Sequence, residues 1–205
     1  MNIAGNVPPS GGTTPTDPAP GLARLLFEPN ISINGPIGQD TVTFFLGRLE
    51  EVRRSGQDML MELNTIGGDA DAARRIALEI RLFRRHSGRR AYCVGKTQVY
   101  SAGVTIFAAF DRHCRFLTED AVLLVHERRM DTSLALSGPM RSCIQIVREE
   151  LALLETAEQL EMEGFRELVN GSSLTTEELY RRATNNCYIH AEDACRLGLV
   201  AEVLG

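Results

Sequence analysis

The sequence predicts an α/β protein in which a mostly parallel sheet carries helices on its faces. Three observations lead there. Short apolar runs of strand length alternate with longer segments whose apolar residues recur every three to four positions. That alternation of strand and helix implies crossover connections, which place helices over a parallel sheet. Gly67-Gly68, Ser101 and His126 all fall at or just beyond predicted strand ends, where such folds collect their functional groups.

Residues 1–21 are rich in Pro, Gly, Thr and Asn with almost nothing to bury, and read as a disordered N-terminal arm; the domain begins near Leu22. Residues 25–33 read as a strand, with Asn34-Gly35-Pro36 as a turn. A helix follows from about Asp40, its apolar face marked by Val42, Phe45, Leu46 and Leu49. Met59-Leu60-Met61-Glu62-Leu63 is a short strand ending in Asn64-Thr65-Ile66-Gly67-Gly68-Asp69. The helix after it, about 70–85, buries Ala73, Ile76, Ala77, Ile80 and Phe83. Residues 91–94 form a strand, residues 94–101 a long loop, and Ser101-Ala102-Gly103 opens a buried helix. Residues 115–117 and 122–125 are further strands, the second ending at His126.

The remainder differs in character. Residues 139–169 form a long Glu-rich amphipathic helix whose apolar positions include Val147, Leu151, Leu154, Leu160, Phe165 and Leu168. It exceeds what a compact core needs, so it is expected to project and pack on a partner copy. Thr175-x-x-Glu178 has the form of a capping box. Asn185-Asn186 is a break, residues 187–189 a strand, residues 191–197 a small helix stopped by Gly198, and residues 199–204 a last strand.

Composition narrows the function classes. The chain has 205 residues and a net charge of −5, enough for one domain with a proper core. Its densest basic group, Arg81, Arg84, Arg85, Arg89 and Arg90, sits near a predicted helix C-terminus, where cations are favourable, so no nucleic-acid partner is expected. Five widely spaced cysteines without a C-x-x-C pair fit reduced thiols in a cytoplasmic protein, with no zinc site. There is no signal pattern and no run suited to spanning a membrane.

Ser101 admits two readings: an N-cap serine of a buried helix, or a nucleophile at a helix start, where free N–H groups stabilise developing negative charge. Gly67-Gly68 is a tight turn or an anion cradle, and matches no complete nucleotide fingerprint. A nucleophilic serine needs a base titrating near working pH, and His126 is the best placed of the four histidines.

Four motifs then stand in a telling order: Leu63-Asn64-Thr65-Ile66-Gly67-Gly68, Val99-Tyr100-Ser101-Ala102-Gly103, Leu124-Val125-His126-Glu127, and the stretch from Ala191 to Val200. Together they resemble the ClpP family of self-compartmentalising serine peptidases across residues 22–205. The resemblance implies a ClpP/crotonase-like spiral of βαβ units with a projecting handle at about 130–170. It implies an endopeptidase of peptides and unfolded proteins in stacked homo-oligomeric rings, with Ser101 as nucleophile and His126 as base. Gly68 and Ala102 N–H groups would form the oxyanion hole, and Asn186 would align with the family's third triad residue. No cofactor is implied for this chain; ATP would be used by a partner AAA+ unfoldase.

The chain departs from the family in places. Asn186 replaces an aspartate, and an amide can fix the tautomer of His126 but cannot stabilise imidazolium by charge; such a swap can cost roughly 10⁴-fold in turnover. Glu127-Arg128-Arg129 stands where a proline is expected, and residues 130–137 replace a glycine-rich strand. Two alternatives follow: a weak or inactive ring subunit, or a crotonase-like acyl-CoA enzyme. The related Ser–Lys peptidases place their lysine after the serine, whereas the single lysine here, Lys96, precedes Ser101.

Overall fold

The computed structural model describes residues 20–205; the arm expected over 1–21 lies, but for its last two residues, outside the described residues. Among the described residues, seven strands make one sheet. Five run parallel in the order β1 (Ile31–Asn34), β2 (Met59–Thr65), β3 (Ala91–Tyr100), β4 (Arg115–Thr118) and β7 (Glu202–Leu204). The other two branch off: β5 (Val122–Val125) lies parallel to β3, and β6 (Cys187–His190) lies antiparallel to β5.

The branch point is β3. Its first half, Cys93 to Gly95, pairs with β4, and its second half, Gln98 to Tyr100, pairs with β5. Between the halves Thr97 takes a positive φ of 52°, and its hydroxyl donates to Asp120 at 2.8 Å. The Thr118 hydroxyl donates to the other oxygen of the same carboxylate at 2.7 Å, so one turn residue holds the bend. The loop expected over 94–101 is therefore strand that changes partner. Sequence periodicity misses it because polar Lys96, Thr97 and Gln98 interrupt the apolar run.

Helices α2 (Gln39–Ser55), α3 (Ala70–His86) and α4 (Ala102–Ala108) supply the main core, with Phe45, Leu49, Ile76, Ile80 and Phe107 almost fully buried. The opposite face carries a smaller cluster of Leu25, Leu60, Tyr92, Val94, Phe116 and Leu204. Leu25 belongs to α1 (Leu22–Phe27), a short helix where a strand was expected. A six-residue helix is too short to be stable alone. This one is held by burial of Leu25 and by Lys96 Nζ, which donates to the Leu26 carbonyl at 2.9 Å and to Glu62 at 2.6 Å.

Arg115 is the principal buried charge. Its guanidinium donates to the carbonyls of Ala108 at 2.6 Å, Phe110 at 2.8 Å and Leu168 at 2.9 Å. These carbonyls lie at the C-terminal ends of α4 and of α5 (Met140–Val169), which a helix cannot satisfy internally. Burial lowers the Arg115 pKa to about 10, leaving it charged at neutral pH.

Helix α5 spans 30 residues, about 45 Å at 1.5 Å per residue. Its buried residues, Phe165, Leu168 and Val169, all lie at its C-terminal end, so most of its length projects. Before it, residues 126–139 contain neither helix nor strand. After it come α6 (Thr176–Ala183), with Thr175 Oγ1 accepting from the Glu178 N–H at 3.1 Å, and α7 (Ala191–Leu197), stopped by Gly198 at φ 75°.

Candidate active site

Ser101 directly follows β3 and His126 directly follows β5, and these neighbours run parallel with Tyr100 beside Leu124. The turn Gly67-Gly68 follows β2, on the other side of β3. Antiparallel β6 begins at this same edge, so residues just before it, Asn186 included, arrive there too. Topology alone thus gathers the five expected site residues on one edge.

Ser101 has φ 53° and ψ −118°, a conformation that is strained for a residue with a Cβ and costs of order 1–3 kcal/mol. Its N–H donates to the Leu124 carbonyl at 2.8 Å, which ties it to the end of β5. It occupies the N-cap position of α4, yet its hydroxyl makes no capping hydrogen bond. The capping role therefore does not explain the serine. Small neighbours make the sharp turn possible: a Cβ on Gly103 would lie 2.4 Å from Thr65 Cγ2.

Gly67-Gly68 is pressed against the serine. A Cβ on Gly67 would lie 2.7 Å from Ser101 Cβ and 3.3 Å from the Ala102 nitrogen. Thr65 Oγ1 accepts from the Gly67 N–H at 3.0 Å and fixes the turn. The outer side of the turn is bonded to Ile37, using the Gly67 carbonyl and the Asp69 N–H. A parallel bridge directs the groups of the intervening residue to the other side, so the Gly68 N–H faces away from Ile37. The Ala102 N–H opens α4 and has no partner within that helix. These two N–H groups are the donors expected for an oxyanion cradle.

His126 and Ser101 line one cleft of about 80 Å³, together with Ala102, Val104, Thr105, Arg74, Arg128, Leu160, Glu161, Gly164 and Phe165. Among the described residues no hydrogen bond joins the Ser101 hydroxyl to His126. The His126 Nδ1 lies 2.6 Å from the carbonyl oxygen of Glu127. A carbonyl only accepts, so in the neutral ring this contact calls for the proton on Nδ1, which leaves the lone pair of Nε2 for a general base.

Asn186 is not brought into that contact. The β5–β6 register, continued one step, places it opposite His126, but it is exposed and its side chain makes no hydrogen bond to the ring. Its backbone has φ 58°, and its N–H donates to the Ala183 carbonyl at 3.2 Å. Asparagine tolerates this left-handed conformation better than most residues, which is a sufficient local reason for an amide here. The expected third member of the relay makes no contact with the ring in this structure, where Nδ1 lies beside main chain.

Glu161 was not foreseen as part of the site. It projects from α5 into the cleft, and its carboxylate accepts from the Arg128 N–H. Burial raises its pKa; the Arg128 N–H opposes this and nearby Glu127 adds to it. A charged residue between Leu160 and Gly164-Phe165, on the helix face turned to the domain, was the one available sequence signal. Lys96 is held by Glu62 and Leu26 and does not line the cleft of Ser101, so it offers no base to the serine.

Among the described residues no group of three or more His, Cys, Asp and Glu side chains is arranged to hold a metal ion. No helix among them is long and apolar enough to cross a membrane.

Comparison with known proteins bears on the family and the fold. The Clp protease family model matches residues 20–205. No curated protein is matched by sequence. Among solved structures the chain is similar to an asparagine-to-aspartate mutant of ClpP1 from Listeria monocytogenes, with a TM-score of 0.69 and 17% identity. The match covers 89% of this chain and 95% of that one, a likeness that shows the shared fold.

Proposed function

This chain belongs to the Clp protease family, with a ClpP-like fold and the peptidase character of that family, and we propose that it is a serine endopeptidase acting through Ser101. One observation carries the reading. Ser101 is held in a strained turn at a helix start, its hydroxyl uncommitted, between Gly67-Gly68 and a cleft shared with His126.

Ser101 Oγ attacks the scissile carbonyl while His126 Nε2 takes its proton. The Gly68 and Ala102 N–H groups receive the charge that develops on the carbonyl oxygen. His126 then gives its proton to the leaving amine, and water hydrolyses the acyl-enzyme by the reverse sequence. The Clp family match favours this peptide chemistry over a crotonase-like acyl-CoA reaction.

The same reading assigns partners. Ile144, Val147, Leu151 and Leu154 are exposed and recur at intervals of three and four along the projecting α5, an apolar stripe suited to a second copy. Family membership is consistent with ring assemblies, and peptides or unfolded proteins are the proposed substrates, delivered by an ATP-driven unfoldase where one docks.

A fluorophosphonate probe tests the nucleophile. Covalent labelling of Ser101 and cleavage of an unfolded protein, both lost in Ser101→Ala, are expected. Acyl-CoA turnover indifferent to Ser101→Ala would overturn the reading. The absence of a Ser101–His126 hydrogen bond favours a second reading, a subunit quiet on its own and active beside paralogues. In that case the isolated chain stays unlabelled until a paralogue is added.

A further inference from the structure

We propose that the tautomer of His126 is set by the main-chain carbonyl of Glu127, held in place by Thr184, and that Asn186 is dispensable to the relay. The proposal rests on the serine-peptidase reading above and concerns the same site.

The geometry has three parts. His126 Nδ1 lies 2.6 Å from the Glu127 carbonyl oxygen, a short contact between adjacent residues just past the end of β5. The same residue is fixed through its side chain: the Thr184 hydroxyl donates to Glu127 Oε1 at 3.0 Å. The next residue is fixed as well, because the Arg128 N–H donates to the Glu161 carboxylate and its guanidinium pairs with Asp71 at 3.2 Å. Residues 127 and 128 are thus held from α6, α5 and α3, and the carbonyl between them has little freedom to leave the ring.

The consequence follows from imidazole chemistry. A neutral ring has one donor and one acceptor nitrogen, and the partner of one decides the role of the other. An asparagine in the third position would at best offer a carbonyl oxygen, and the main chain already offers one, 2.6 Å from the ring nitrogen. The segment expected to supply the relay through Asn186 supplies Thr184 instead, two residues earlier, acting on Glu127. Thr184 and Glu127 are positioning residues: neither side chain touches the reacting atoms.

The test compares Asn186→Ala, Thr184→Val and Thr184→Ser in the full chain, with ¹⁵N NMR of His126 and steady-state hydrolysis of an unfolded protein. The expected spectrum shows protonated Nδ1 and bare Nε2 in both wild type and Asn186→Ala. Asn186→Ala keeps kcat within tenfold of wild type. Thr184→Val lowers kcat about tenfold with KM unchanged, and Thr184→Ser restores it. A bare Nδ1, a loss of more than tenfold in Asn186→Ala, or a wild-type kcat in Thr184→Val overturns the proposal. Should wild type show no Ser101-dependent hydrolysis, the peptidase reading fails by itself, while the ¹⁵N spectra of wild type and Asn186→Ala still decide the tautomer.

Discussion

Ile37 clasps Gly68 across a single parallel bridge, its N–H donating to the Gly67 carbonyl and its carbonyl accepting from the Asp69 N–H, both at 2.9 Å. The segment after β1 is thereby the outer wall of the turn whose inner side faces Ser101.

Gly68→Ala is expected to break this arrangement. A Cβ there would sit 2.2 Å from the Ile37 carbonyl oxygen, on a residue whose φ of 145° disfavours any side chain. On the proposed mechanism, misplacing one oxyanion donor costs about 10²–10³-fold in kcat, and the strain costs of order 1–3 kcal/mol of stability. Gly47→Ala is the control: it lies in α2 with open space around its Cβ position, and helix propensity favours the change by about 1 kcal/mol. Labelling rates and urea unfolding of the pair check both.

Lys96 and Glu62 make stability depend on acid. Burial opposes ionisation of Glu62, but hydrogen bonds from Lys96 and Asn34 outweigh it and hold its pKa below the ordinary value. The depressed pKa gives a contribution present above the unfolded pKa and lost as pH falls through the folded one. Lys96→Met removes a charged hydrogen bond, costs about 2 kcal/mol, flattens that acid limb and speeds amide exchange in α1. Fluorophosphonate labelling of Ser101 stays unchanged, the outcome a Ser–Lys dyad would forbid.

Glu161 has the opposite sign. Its pKa is raised, chiefly by burial, so its contribution is present below the unfolded pKa and lost as pH rises through the folded one. Glu161→Gln keeps an acceptor for the Arg128 N–H and removes this loss. Thermal unfolding followed from mildly acidic to neutral pH is expected to fall less steeply in the variant.

On the proposed assembly through α5, Leu151→Glu and Val147→Asp are expected to separate the copies without unfolding them. Both residues are exposed on the projecting α5, and burying a large apolar side chain at an interface contributes about 1.5–3 kcal/mol. Sedimentation velocity with circular dichroism separates lost assembly from lost fold; an unchanged sedimentation coefficient would rule the stripe out as an interface.

The sequence reveals the α/β class because apolar periodicity survives wherever an element buries one face, as in α2 and α3. It reveals Ser101, His126 and Gly68 as site candidates because strand ends in a parallel sheet converge. It does not reveal α1, whose helix is made by a lysine about seventy residues away, nor the second half of β3, whose polar residues pair with β5 after a bend held by Asp120. Asn186 attracts attention as an amide in place of a carboxylate. The contact that meets His126 is a carbonyl, and every residue has one, so no sequence pattern could single out Glu127 for it.

Arg115 also imposes an order of events during synthesis. Its guanidinium waits for the carbonyl of Leu168, and its own carbonyl waits for the Ala201 N–H, which donates to it at 2.8 Å. The chain must therefore be made past residue 168 before the guanidinium has its acceptor from α5. The carbonyls of Ala108 and Phe110 hold the cation at the end of α4 from the outset, and the arrival of the C-terminal end of α5 completes its set of acceptors.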